Sequence, residues 1–115
     1  MSVKIYHNPR CSKSRQTLQL LQERGIAPEI IEYLKTPPSA DELDAILQKL
    51  GLEPRALMRK NEAAYKEAGM DNEALDRQAL INGMVNNPIL IERPIVVANN
   101  KAAIGRPPEA VLAIL

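Results

Sequence analysis

The sequence predicts a single α/β domain built on a mixed sheet, and three observations lead to this prediction. Short apolar runs near both ends of the chain have the length of β-strands, whereas the middle repeats its apolar residues with the periodicity of helices. A chain of 115 residues can build one hydrophobic core but not two. Its contents of 45% hydrophobic and 25% charged residues are ordinary for a globular protein.

The first third of the chain is predicted to form a β–α–β unit. Its pattern indicates a strand over 3–6, a helix over 12–24 and a second strand over 29–33. Gly25 is expected to end the helix, because glycine readily adopts the left-handed conformation that follows many helices. A unit of this size implies a right-handed crossover between two parallel, neighbouring strands.

The middle of the chain is predicted to be a helical insert over about 39–86. Ser39 and Glu42 have the spacing of a capping box, and Gly51 ends the apolar repeat that follows them. Further helices are predicted over 54–58, over 61–68 with Asn61 as the cap, and over 76–86. No low-complexity linker separates these segments, so we expect one domain over 1–115 with the insert packed on the sheet.

The last third of the chain returns to short strands. These are predicted over 89–91, 95–98 and 102–104. The dipeptide Asn99-Asn100 strongly predicts a hairpin turn, because both residues tolerate a positive φ. Pro107-Pro108 should open a final helix.

The predicted order of elements is β–α–β, then helices, then β–β–α. This is the order of a thioredoxin-like fold, a mixed four-stranded sheet that here carries a helical insertion. Cys11 would then lie at the carboxyl end of the first strand, where open α/β sheets bind their ligands. The bonds Asn87–Pro88 and Arg93–Pro94 are the candidates for cis peptides.

Charge and hydropathy exclude several classes of partner. The formal net charge is +1, which favours neither nucleic acid nor a membrane surface. No apolar run approaches the roughly 20 residues of a membrane span, and the first residues do not resemble a signal peptide. Together with the single cysteine, these features predict a cytoplasmic protein.

Cys11 is the only cysteine of the chain, so it cannot form an internal disulfide. A free thiol with a pKa near ~8.5 is mostly protonated at neutral pH. At the predicted start of a helix, however, backbone N–H groups and the flanking Arg10, Lys13 and Arg15 favour the thiolate. The same features attract oxyanions. The sequence therefore predicts a nucleophilic cysteine rather than a buried apolar one.

Three polar neighbours could act on this thiol. His7, the only histidine, can orient or protonate the sulfur, or alternatively brace the loop. Ser12 and Ser14 can donate to the thiolate or cap the helix, and capping is the expected role of Ser12. Ser14 stands where a C-x-x-C motif would have its second cysteine, so any disulfide of Cys11 must be resolved by another molecule, such as glutathione or a partner thiol.

Three arginines lie at predicted junctions between elements: Arg59, Arg93 and Arg106. Taken singly, each has the features of a solvated surface charge. If they converge near Cys11, their guanidinium groups can bind a tetrahedral oxyanion in a bidentate manner. No metal site is predicted.

Four separated blocks of sequence resemble the ArsC family, the arsenate reductases of the glutaredoxin-coupled type, and especially its YfgD-like branch. The blocks are IYHNPRCSKSR at 5–15, LMRKN at 57–61, NPILIERPIVV at 87–97 and IGRPPE at 104–109. The resemblance covers nearly the whole chain, and the four blocks stand in the family's order and spacing. The resemblance implies a thioredoxin fold in which Pro94 is cis and faces the nucleophile.

The resemblance also implies a chemistry for these residues. Cys11 would attack arsenate, and His7 would tune the environment of its thiol. The oxyanion and the arsenylated cysteine would be bound by three arginines, Arg59, Arg93 and Arg106. Supporting positions are Asn8, Ser14 and Pro94. Glutathione would then form a mixed disulfide with the cysteine as arsenite leaves, and glutaredoxin would reduce the enzyme, so no bound cofactor is expected.

One departure from the family leaves alternatives open. The residues after the cysteine are Ser12-Lys13-Ser14, where dedicated arsenate-resistance members usually have Gly-Thr-Ser, and this suggests a housekeeping branch. A second hypothesis is a regulatory binding module similar to the Spx-type proteins, which contact RNA polymerase. Many of those carry a C-x-x-C switch that Ser14 removes here. A third is a thiol oxidoreductase with another substrate, such as a glutathionylated protein.

Overall fold

The computed structural model describes residues 2–115, which form two compact units. The first unit combines residues 2–36 with 93–115, and the second is the continuous segment 37–92. The predicted insert over 39–86 lies within the second unit, and the prediction of a single domain remains a prediction. Within residues 2–115, no helix is both long and apolar enough to cross a lipid bilayer.

The first unit is built on a mixed sheet with the strand order β2-β1-β3-β4. Its strands are β1 (Val3–His7), β2 (Glu29–Glu32), β3 (Ile95–Ala98) and β4 (Lys101–Ile104). β1 pairs with β2 in parallel and with β3 in antiparallel fashion, and Ile5 stands opposite both Ile30 and Val96. The predicted mixed four-stranded sheet is therefore confirmed.

Helix α1 (Ser12–Glu23) connects β1 to β2 and ends where predicted, with Gly25 at a φ of +76°. Together with a 3-10 helix over Pro108–Ile114, it covers one face of the sheet. The apolar core beneath them consists of Val3, Ile5, Leu21, Val96, Ala98, Val111 and Ile114. Burial of these side chains holds α1 against the sheet.

The second unit is helical. It contains α2 (Ala40–Leu50), α3 (Ala63–Glu67) and α4 (Arg77–Asn86), with 3-10 helices over Pro54–Leu57 and Pro88–Leu90. The predicted capping box is confirmed: the Glu42 amide donates to Ser39 Oγ at 3.1 Å, and the Ser39 amide donates to Glu42 Oε1 at 3.4 Å. Asp76 caps α4 by accepting from the Ala79 amide at 2.8 Å.

Two predictions in this region are wrong. Asn61 does not cap α3, because the helix begins at Ala63 with Glu62 in the cap position. The segment 89–91 is not a strand, because Pro88 starts a 3-10 turn and Ile91 alone makes an isolated bridge. An apolar triplet satisfies strand and helix patterns equally, and the proline at its start decided between them.

The turns of the last third are mostly as expected. Asn99 and Asn100 have φ values of 54° and 62°, which confirms the predicted hairpin turn between β3 and β4. The Arg93–Pro94 bond is cis as predicted. The prediction for Asn87–Pro88 is wrong, and Arg106–Pro107 is a cis bond that the sequence did not indicate.

Candidate active site

A tight turn after β1 carries the residues that precede the cysteine. The Cys11 amide donates to the Asn8 carbonyl at 3.0 Å, and the Arg10 amide donates to Asn8 Oδ1 at the same distance. Arg15 Nη1 reaches back from α1 to donate to the Pro9 carbonyl at 3.0 Å. These bonds brace the loop and define the residue at which α1 begins. Asn8 therefore supports the loop through its side chain and its carbonyl.

Cys11 occupies the cap position of α1, with φ −95° and ψ 124°, and its side chain is buried. The predicted capping by Ser12 is wrong, because Ser12 is already the first helical residue. The Cys11 sulfur does not cap the helix with a hydrogen bond, yet the N–H groups of the first turn still favour its anion. The first turn holds no acidic residue that would oppose this effect.

The thiol is set up as a nucleophile by opposing influences. Burial by itself raises the pKa of Cys11. The Ser14 amide, the Arg93 side chain and the Lys13 amide act the other way, in that order of strength. Because these groups outweigh burial, the pKa of Cys11 lies below its ordinary value. The thiolate is therefore more abundant at neutral pH than in an unperturbed cysteine.

Two arginines that flank the β3–β4 hairpin stand against the cysteine. Arg106 Nη2 donates to Cys11 Sγ at 3.6 Å, and Arg93 favours the thiolate through a hydrogen bond and through its charge. Arg106 Nε also donates to the Arg93 carbonyl at 2.8 Å, which ties the two residues together. Arg106 is exposed and its charge is screened by water, so half-buried Arg93 has the larger effect on the thiolate.

His7 contacts Ser14, and both side chains are buried. His7 Nδ1 lies 2.6 Å from Ser14 Oγ, which also accepts from the Asn8 amide at 3.0 Å. Burial lowers the pKa of His7 below its usual value, because the carboxylate of Glu32 offsets this effect only in part. The imidazole is therefore neutral at pH 7. Its contact holds Ser14, whose backbone N–H favours the Cys11 thiolate.

Arg59 lies in the second unit and is bound by two carboxylates there. Its Nη1 donates to Glu92 Oε1 at 2.8 Å, and its Nε donates to Glu62 Oε1 at 3.2 Å. Burial alone lowers the pKa of Arg59, but the two carboxylates raise it overall. The charge of this arginine is thus matched within its own unit. Its predicted part in oxyanion binding stays a prediction.

Two residues of the site were not identified from the sequence. Thr17 is fully buried in α1, and its hydroxyl donates to the Lys13 carbonyl at 2.8 Å. Gly105 is buried at the end of β4, where its amide donates to the Pro94 carbonyl at 2.9 Å. The only sequence signal for Gly105 is its position immediately before Arg106 in the block IGRPPE.

A cleft of about 240 Å³ borders the loop, and its walls include His7, Arg10 and Leu34. Among residues 2–115, no group of three or more His, Cys, Asp or Glu side chains could hold a metal ion. The chemistry that the described residues support is nucleophilic attack by a thiolate in a cationic setting.

Comparison with known proteins decides the family. The model of the ArsC family matches residues 6–114. The chain belongs to the ArsC family. The resemblance found in the four sequence blocks is thereby confirmed.

Individual relatives cover nearly the full length of the chain. It is 55% identical over 114 residues to an arsenate reductase of Neisseria meningitidis serogroup A, with 98% of this chain and 97% of the relative covered. It is 58% identical to the uncharacterized protein YfgD of Escherichia coli K12, with 98% and 96% covered. The structure of an arsenate reductase from Vibrio cholerae matches with a TM-score of 0.96 and 57% identity, over 100% of this chain and 98% of that one. This match confirms the predicted thioredoxin-like fold.

Proposed function

We propose that this protein reduces arsenate and that the thiolate of Cys11 is the nucleophile. One observation carries the proposal: the only thiol of the chain lies at a helix N-terminus, with an arginine nitrogen 3.6 Å from its sulfur. Guanidinium groups bind tetrahedral oxyanions in a bidentate manner. Relatives that are 55% and 50% identical to this chain bear the name arsenate reductase, which supports the same substrate.

The first step forms a bond between sulfur and arsenic. The Cys11 thiolate supplies the electron pair, and one arsenate oxygen leaves as water after it has been protonated. Arsenic stays in its +5 state in this step. Arg93 and Arg106 stabilise the negative charge on the remaining oxygens, because their guanidinium groups already lie beside the sulfur.

The second step transfers two electrons to arsenic. A glutathione thiolate attacks the Cys11 sulfur, the sulfur–arsenic bond breaks, and its electron pair leaves with arsenic as arsenite. Cys11 and glutathione are then joined as a mixed disulfide. A glutaredoxin thiolate attacks the glutathione sulfur of this disulfide and releases Cys11 as a thiolate.

The need for external thiols follows from the sequence. Cys11 is the only cysteine, so no second thiol of this chain can resolve the disulfide. We assign this task to glutathione and glutaredoxin, and the cleft beside Arg10 to the approach of glutathione. Both reductants require a reducing compartment, so the proposal includes a cytoplasmic location.

The other predicted residues support the nucleophile in this proposal. His7 is a positioning residue that acts through Ser14, because its ring contacts the Ser14 hydroxyl. Pro94 supports the site through its carbonyl, which accepts the Gly105 amide beside Arg106. We keep Arg59 as a third arginine that binds the oxyanion, as the sequence resemblance implies.

A coupled assay tests this function. The purified protein is mixed with arsenate, glutathione, glutaredoxin, glutathione reductase and NADPH, and NADPH consumption is followed by absorbance. We expect arsenate-dependent oxidation of NADPH that stops when either glutathione or glutaredoxin is omitted. Arsenite should appear in a one-to-one ratio with NADPH consumed.

The matched control is Cys11→Ser, which keeps the size and the cap position but lacks the thiol. Arsenate-dependent turnover no faster than that of this variant would overturn the proposal. Turnover that continues without glutaredoxin would remove glutaredoxin from the scheme and leave the thiol chemistry in place.

A further inference from the structure

Gly105 lies at the meeting point of the three segments that carry the thiol and its two arginines. α1 begins at Cys11 and contributes Thr17 to this point. The cis-peptide segment contributes Pro94, directly after Arg93, and Gly105 itself directly precedes Arg106. A change in the space at Gly105 must therefore displace at least one of the three groups that form the cationic site.

The space at Gly105 is too small for any side chain. A Cβ atom there would lie 2.5 Å from Thr17 Oγ1, 2.8 Å from Pro94 Cγ and 3.1 Å from Thr17 Cγ2. Rotation of Thr17 would break the hydrogen bond from its hydroxyl to the Lys13 carbonyl, and the side chain is fully buried. The ring of Pro94 is rigid, and its carbonyl is held by the Gly105 amide at 2.9 Å.

The backbone conformation of Gly105 does not itself demand glycine. The glycines of this chain with a positive φ are Gly25, Gly51 and Gly69, and Gly105 is not among them. The glycine is thus required by the space and not by the dihedral angles. This distinguishes it from the glycines that end helices in the same chain.

We propose that Gly105 is a positioning residue that holds Arg93 and Arg106 against the Cys11 sulfur. A methyl group at this position pushes Pro94 away, and Arg93 with it, or pushes Thr17 away, and Cys11 with it. Either movement separates the thiolate from a guanidinium group. The part of the proposal that concerns catalysis rests on the proposed function, whereas the part that concerns the thiol does not.

The experiment measures alkylation of Cys11 by iodoacetamide against pH, which reports one site because the chain has one cysteine. Gly105→Ala should raise the alkylation midpoint by roughly half a pH unit, as expected for an ångström-scale separation of opposite charges in a partly screened site. Thr17→Ala in addition to Gly105→Ala removes two of the three close contacts. The rise in midpoint that Gly105→Ala causes in the Thr17→Ala background should therefore be smaller than the rise it causes in the wild type.

Gly83→Ala is the matched control, because a Cβ at Gly83 would also overlap a neighbour, Met70, but within the second unit. Its midpoint should equal that of the wild type even if its melting temperature falls. A wild-type midpoint in Gly105→Ala, an equal rise in Gly83→Ala, or an undiminished rise in the Thr17→Ala background would each overturn the proposal. If Gly105→Ala does not fold, a double-variant midpoint equal to that of Thr17→Ala overturns it, and a higher one supports it.

Arsenate turnover separates this inference from the proposed function. With both correct, Gly105→Ala raises the KM for arsenate several-fold, and Gly83→Ala does not. If the wild type does not turn arsenate over, the alkylation midpoints still decide whether Gly105 positions the arginines.

Discussion

Replacement of Arg106 by glutamine isolates the contribution of one guanidinium group to the reactivity of Cys11. The variant keeps a shorter polar side chain and loses the positive charge that lies 3.6 Å from the sulfur. Arg106→Lys is the matched control, because it keeps the charge and loses the bond from Nε to the Arg93 carbonyl. A difference between the two variants therefore reports the charge and not the geometry of the fork.

The size of the effect follows from the distance and the exposure. Because Arg106 is exposed, a dielectric constant close to that of water applies, and a unit charge at 3.6 Å then stabilises the thiolate by about 1 kcal/mol. At a pH below the midpoint, this changes the thiolate fraction about fivefold. The thiolate of the variant is also more basic and therefore more nucleophilic, and this offsets roughly half of the decrease in the logarithm of the alkylation rate. The net alkylation rate should fall about two- to threefold.

The assay is the rate of iodoacetamide alkylation at low and high ionic strength. The difference between Arg106→Gln and the wild type should shrink to about a third of its logarithmic size near 1 M salt, where charges are screened within about 3 Å. Arg106→Lys should stay close to the wild type at low salt. If Arg106→Gln alkylates at the wild-type rate at low salt, the contact between Arg106 and the thiolate does not stabilise the anion, and this reasoning is refuted.

Three further predictions concern neighbouring groups. Burial lowers the pKa of His7, so protonation of the ring opposes folding. The contribution of the neutral ring to stability is complete above pH ~6.5 and is lost as pH falls through the lowered pKa. Thermal unfolding of His7→Gln should therefore depend less on pH in acid than that of the wild type, and an unchanged dependence would contradict this reasoning. Ser14→Ala leaves the buried His7 ring and the part-buried Asn8 amide without their partner, and it should lower the free energy of unfolding in urea by about 1–3 kcal/mol. Exposed Ser12→Ala should change this free energy by less than about 0.5 kcal/mol, and equal effects of the two variants would argue against the buried network. Glu62→Gln removes one of the two carboxylates that pair with Arg59. If Arg59 binds the oxyanion as proposed, its charge is then less neutralised, and the KM for arsenate should fall about two- to fivefold. An unchanged KM would mean that the charge of Glu62 has no effect on arsenate binding.

Local patterns in the sequence were sufficient for most of the fold. The capping box at Ser39, the hairpin turn at Asn99 and the glycine after α1 were all predicted, because each depends on residues a few positions apart. The predictions failed where a short segment satisfied two patterns. The triplet 89–91 has the composition of a strand, but Pro88 begins a 3-10 turn.

The candidate site also has a part that the sequence predicts and a part that it does not. The nucleophile could be predicted because its lone status and its position at a helix start are properties of one short segment. The contact between Arg106 and Cys11 could not, because 95 positions separate the two residues and their approach depends on the register of the sheet. The space at Gly105 is equally invisible in the sequence, since three separate segments define it.

The sequence by itself determined that this chain is a monothiol protein whose oxidised cysteine requires an external reductant, because a count of one cysteine is independent of folding. Only the tertiary structure decided which cations stand against that thiol. It brings Arg93 and Arg106 to the sulfur through the β3–β4 hairpin, and it binds Arg59 to two carboxylates of the second unit. The physical reason is that electrostatic stabilisation depends on distance and burial, and both are set by how distant segments pack.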